Sequence, residues 1–237
     1  MRYLSEFVGS LVLLLGGYAY MCNISLKKTL VSNLNYLELV FAWSLAVGLG
    51  LATAVVMGGP AYLNPGVVFG NIIAGNLSVT EALLFLLMEF LAAGSAELLC
   101  MIFFWDSFQA SPNAPKRGIF SAYPVEKNMV LNFAQEIIAT FFFMFIVFTC
   151  LKAVSGESAA LQTGAVGFAA VAIMALSLNS TGYSMNAMRS VFSSVWFVIL
   201  PFPNKNNEKV DWPYQLTVNL AGSSIGGILA VLVTGLF

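Results

Sequence analysis

The chain contains no histidine. That removes the side chain most often used as a general base near neutral pH, and also the commonest metal ligand. Charge is scarce too: only 9% of the residues are Asp, Glu, Lys or Arg, against roughly a quarter in an ordinary soluble domain. A net charge of −1 leaves no basic footprint for nucleic acid. The three cysteines, Cys22, Cys100 and Cys150, stand apart in or beside apolar runs, with no CxxC spacing. They read as small apolar packing residues rather than a disulfide framework or a metal site. Glu89, Glu97 and Asp106 have no histidine or clustered nucleophile to work with, so neither an enzyme nor a cofactor is expected.

What the chain has instead is apolar length: 59% hydrophobic residues and a mean hydropathy of +0.86. Crossing a bilayer as a helix takes about 20 apolar residues. Runs of that size extend from Leu4 to Cys22, Leu37 to Met57, Thr80 to Trp105, Met129 to Leu151, Leu161 to Leu178 and Gln215 to Leu236. The first carries Glu6 and has no small-x-small cleavage site after it, so it reads as a span rather than a signal peptide. Two shorter stretches, Pro65 to Ala74 and Ala187 to Leu200, cannot span and each follows an Asn.

The order is span, span, half-span, span, then a polar connection from Asp106 to Asn128, then the same again. Ser-Glu-Phe-Val-Gly-Ser at Ser5 echoes Gln-Glu-Ile-Ile-Ala-Thr at Gln135, and the stretch from Leu63 echoes that from Met185. Three spans per half is odd, so the second half must enter from the opposite side of the membrane. The expected fold is therefore an all-α membrane protein, six transmembrane helices plus two re-entrant half-helices. It forms one domain over 1–237, with inverted repeats at about 1–110 and 125–237, and its site lies where the half-helices meet.

A half-helix that begins at membrane depth presents unpaired N–H groups there. Asn64 and Asn186 suit that position, because the side-chain oxygen caps the N–H groups while the NH₂ stays free to donate. Pro65 fits the first helical position, where its missing donor costs nothing. Two positive helix ends with a nearby Arg form a barrier to protons and cations, and Arg189 is placed to be that Arg. The plainer alternative is that both Asn residues cap interfacial helices while Arg189 snorkels to headgroups.

Here the sequence resembles the major intrinsic protein family, the aquaporins and aquaglyceroporins, and within it most nearly the bacterial glycerol facilitators. Asn64-Pro65-Gly66 stands where the family has Asn-Pro-Ala, and Asn186-Ala187-Met188 occupies the second such position. Phe120-Ser121-Ala122-Tyr123-Pro124 is similar to a Phe-Ser-Thr-Tyr-Pro stretch of the facilitators. Glu6 and Glu136 match glutamates that accept hydrogen bonds from the half-helix loops. The resemblance implies a selectivity filter of Tyr183 and Arg189 from the second loop, Met174 from the fifth span, and Trp43, or else Ser44, from the second. It also implies passive passage of glycerol, water and similar small neutral solutes through a homotetramer in the lipid bilayer, with the bacterial cytoplasmic membrane as the setting.

Several features pull against that picture. Gly66 replaces a helix former at roughly 1 kcal/mol in propensity, and Ala187 gives up the fixed φ of proline. Met174 and Ser190 favour a narrower pore selective for water or hydrogen peroxide. A secondary transporter also accommodates inverted repeats and broken helices. With the N-terminus cytoplasmic, as the resemblance implies, only Arg2 and Lys152 fall inside, whereas the positive-inside rule argues for the reverse. Glu89 and Glu97 lie near one face of the third span, either as packing carboxyls or as a pH gate or subunit contact. The small residues Ala92, Ala93, Gly94 and Ser95 allow close helix packing, within a subunit or between subunits.

Overall fold

The structure, a computed structural model, describes residues 1–30, 35–152, 158–178, 180–205 and 208–236. Among them are helices and no strands. Six helices are long and apolar enough to cross a membrane. These are α1 (Arg2–Ser25), α2 (Tyr36–Val56), α4 (Val79–Phe103), α7 (Met129–Leu151), α8 (Ala159–Ser177) and the stretch Trp212–Thr234. The last is composite: α10 (Trp212–Tyr214), a π-wound segment Gln215–Gly222, and α11 (Ser223–Thr234). The two short helices are α3 (Pro65–Ile73) and a π-type turn Met188–Phe192 that runs into α9 (Ser193–Ile199). Short α5 (Trp105–Ala110) and α6 (Arg117–Phe120) lie in the connection between the halves.

Helix starts follow local chemistry. Asn35 with Glu38 and Ser78 with Glu81 form capping boxes at α2 and α4, and Asn128 caps α7 through the Leu131 N–H. Faces then sort by environment. On α2 the exposed side chains Leu37, Phe41, Leu45 and Leu49 recur every fourth residue and form one greasy stripe. The polar residues go inward instead: Ser5, Glu6, Ser44, Glu89, Glu97, Glu136 and Thr140 are all fully buried. This inside-out distribution is expected when the solvent is hydrocarbon.

Small residues let the helices close on one another. A Cβ on Gly48 would lie 2.6 Å from the carbonyl oxygen of Gly164, so α2 and α8 touch backbone to backbone. In α4, Ala92 and Ala93 are fully buried and a Cβ on Gly94 would meet the Trp196 ring at 2.3 Å. That small-residue patch serves packing inside the chain. Glu89 and Glu97 are also fully buried within the chain. Glu89 lies beside Glu6 and Glu97 beside Ser193, neither with a hydrogen bond within 3.5 Å among the described residues.

Candidate functional site

Two loops precede the short helices, and their backbones match position by position. Ala61 and Leu63 have φ of 54° and 44°; Tyr183 and Met185 have φ of 40° and 45°. These are left-handed conformations at non-glycine residues, each costing of order 1–2 kcal/mol. Buried carboxylates hold them. Glu6 accepts the backbone N–H groups of Tyr62 and Leu63. Glu136 accepts the Met185 N–H and, at 2.8 Å, the Thr181 hydroxyl.

Each Asn then does two things. Its oxygen caps its own helix: Gly66 N–H donates to Asn64 Oδ1, and Met188 N–H to Asn186 Oδ1, both at 2.9 Å. Its NH₂ crosses to the other loop, with Asn64 Nδ2 donating to the Met185 carbonyl at 2.8 Å and Asn186 Nδ2 to the Leu63 carbonyl at 2.7 Å. An amide NH₂ has two hydrogens, so one remains on each Asn. The sequence suggested a donor wholly free for solute, but half of it ties the loops together. Asn186 lines the cavity between the loops, whereas Asn64 is fully buried and does not.

The cavity lining mixes polar and greasy groups. From the two loops come Tyr62, Leu63, Tyr183, Ser184 and Asn186, with Arg189. Arg189 is 7% exposed, and its Nη1 donates to the carbonyls of Tyr183 and Gly182 at 3.2 and 3.4 Å. Its Cζ lies 4.5 Å from the Trp43 ring centre and 5.4 Å from that of Tyr183. Trp43 is 2% exposed and lines the cavity. Ser44 does not, because its hydroxyl bonds back to the Val40 carbonyl within α2. Two buried N–H donors among these residues, Trp43 Nε1 and Arg189 Nε, have no partner among the described residues.

Met174 is not among the lining residues. It packs against the core, and its neighbour one turn earlier, Val171, supplies the contribution of α8. The rest of the greasy lining from the spanning helices was not singled out in the sequence: Leu13 of α1, Val47 and Leu51 of α2, and Phe143, Met144, Val147 and Phe148 of α7. Trp43, Val47 and Leu51 recur every fourth residue, as do Phe143 and Val147, so a helical stripe was present. On a fully apolar helix such a stripe looks the same whether it meets lipid, core or lumen.

Gly66 and Met188 are both fully buried, Gly66 for a reason that propensity alone does not give. A Cβ there would meet the Ser223 carbonyl oxygen at 2.8 Å and Ser224 Cα at 3.1 Å, and a Cβ on Gly227 would strike Gly66 in turn. Glycine lets α3 seat directly on α11. Ala187, fully buried, has φ of −64°, the value a proline would impose.

Six spanning helices enclosing a cavity between two half-helices define a helical membrane channel rather than an enzyme. The chain belongs to the major intrinsic protein family, which it matches over residues 1–234. It is 34% identical over 237 residues to the glycerol uptake facilitator protein of Streptococcus pneumoniae, covering 98% of this chain and 97% of that one. Against glycerol uptake facilitator protein 2 of Lactiplantibacillus plantarum it is 32% identical over 231 residues, with coverage of 96% and 95%. Among solved structures, the aquaglyceroporin from Plasmodium falciparum shares the fold at a TM-score of 0.78 and 16% identity, over 100% of this chain and 98% of that one.

Proposed function

We propose that the chain is a passive channel for glycerol, water and similar small neutral solutes that excludes protons and ions. The observation that carries this reading is the pair of buried, unpartnered donors on Trp43 and Arg189, set in a cavity whose lining is otherwise mostly apolar. A polyol offers hydroxyl oxygens on one side and C–H groups on the other, so it fits such a site; a bare ion would lose its water to a greasy wall. The helix starts at Asn64 and Asn186 and the charge of Arg189 add a positive barrier against cations. The facilitator relatives support glycerol as the solute.

In this reading Arg189, Trp43 and Tyr183 form the filter with Val171, while Asn64 and Asn186 mark the midplane of an inverted repeat. The N-terminus is cytoplasmic, the setting is the bacterial cytoplasmic membrane, and the assembly is a homotetramer. One observation favours a narrower pore passing only water or hydrogen peroxide: the cavity reaches Asn186 and not Asn64. Stopped-flow light scattering on proteoliposomes separates the two. Glycerol and water flux that neither saturates nor depends on ion gradients is expected; water flux without glycerol flux would favour the narrow pore, and saturable or ion-dependent flux would defeat both.

A further inference from the structure

We infer that the first helix, through Gly17 and Tyr18, positions the Trp43–Arg189 pair and so decides which solutes pass. Neither residue lines the cavity. This rests on the proposed solute channel and adds a determinant to it behind the wall of the pore.

Gly17 sets where the Trp43 ring can lie. A Cβ at Gly17 would sit 2.2 Å from Trp43 Cζ3, 2.4 Å from Cη2 and 2.5 Å from Cε3. The ring therefore rests on the bare backbone of α1, with the Arg189 guanidinium on it at 4.5 Å. Any side chain at 17 would push the indole off this seat and change its contact with that guanidinium.

Tyr18 holds the other partner. It is fully buried, and its hydroxyl donates to the Arg189 backbone carbonyl at 2.9 Å. That carbonyl lies in the π-type turn. In an α-helix it would receive the Ser193 N–H, four residues on. In the π-type turn the Ser193 N–H goes instead to Met188 O and Ser190 O. The Tyr18 hydroxyl, itself paired with Ser193 Oγ, fills the place. Its ring stands edge-on to Trp43, with centroids 5.8 Å apart and planes at 80°, and edge-on to Phe120 at 5.2 Å and 82°. One side chain thus fixes the backbone of Arg189 and the edge of Trp43 at the same time.

The test is glycerol and water permeability of proteoliposomes holding matched amounts of folded protein. Gly17→Ala displaces the Trp43 ring, so it should lower glycerol flux by about tenfold and water flux much less. Tyr18→Phe adds no atom and keeps the ring, so it carries the test even if Gly17→Ala fails to fold; its glycerol-to-water ratio should move by several-fold. Gly16→Ala crowds Ala46 at 3.0 Å rather than the filter, and its ratio should stay at the wild-type value. Unchanged ratios in both Gly17→Ala and Tyr18→Phe, or equal movement in Gly16→Ala, would overturn the inference. Wild-type vesicles that pass water but no glycerol would defeat the proposed solute instead; the seat is then read on water flux, lowered by Gly17→Ala and unchanged by Gly16→Ala.

Discussion

The two half-helix loops share a frame and differ in what they carry. Both place left-handed residues three and one positions before the Asn, both hang on one buried Glu, and each Asn reaches across to the other loop. An ion pair also stands at a matching place in each half. Arg2 at the start of α1 meets Glu81 in the first turn of α4, and Lys127 just before α7 meets Asp211 at the start of the last span. The first loop leads into a regular α-helix pressed on α11 through Gly66. The second leads into a π-type turn and carries Arg189, the Tyr183 ring and the one Asn of the pair that lines the cavity. What the frame requires is present twice, and what selects a solute is present once.

The largest expected effect tests the shared frame. Glu6→Leu and Glu136→Leu each strip a loop of its acceptor and leave two buried donors unpaired, at about 1–3 kcal/mol for each donor. Both should cut the yield and thermal stability of detergent-solubilised protein, to a similar degree. A Glu6→Leu protein as stable as wild type would mean that the two loops are not held alike.

Gly66→Ala probes the first loop alone. Its methyl meets backbone at 2.8 Å, which side-chain rotation cannot relieve. A loss of about 1–3 kcal/mol is expected, measured as a lower unfolding temperature. The mirror change, Ala187→Pro, should do the opposite. With φ already at −64°, proline costs the folded chain little and restricts the unfolded one, for a gain of about 0.4–1 kcal/mol. If both changes moved stability the same way, the stated difference between the helix starts would be wrong.

The smallest effect concerns the outer ion pairs. The hydrogen bond from Lys127 holds the Asp211 carboxyl below its ordinary range. A lowered folded-state value stabilises the chain above the ordinary carboxylate range, and that contribution is lost as pH falls through the lowered value. The pair is half exposed on the Lys side, so the loss should stay below about 1 kcal/mol. Unfolding of Asp211→Asn against wild type from neutral to acid pH should show the gap closing as the pH drops.

Much of this was legible in the chain. Met129 to Leu151 is the observed span, and the other five differ by a few residues at their ends, where helices fray and cap. Asn64 and Asn186 could be picked out as caps of two short apolar stretches, while Glu6 and Glu136 were singled out through the family resemblance. Val171 against Met174, and Trp43 against Ser44, could not be separated with certainty by counting. Which face of an apolar helix meets a lumen depends on how it is rotated against its neighbours. The role of Gly66 was hidden for the same reason, since its propensity cost belongs to α3 alone and its benefit lies in α11.

By itself, then, the sequence determined the number of spans, the two broken helices and their Asn caps. Those follow from length, hydropathy and the need to satisfy buried polar groups, all of which are local or compositional. Only the tertiary structure decided that the Asn amides cross between loops, that four residues sit in left-handed backbone, and that Trp43 lies on Gly17 under Arg189. Those facts depend on contacts between segments far apart in the chain, and no periodicity within one helix encodes them.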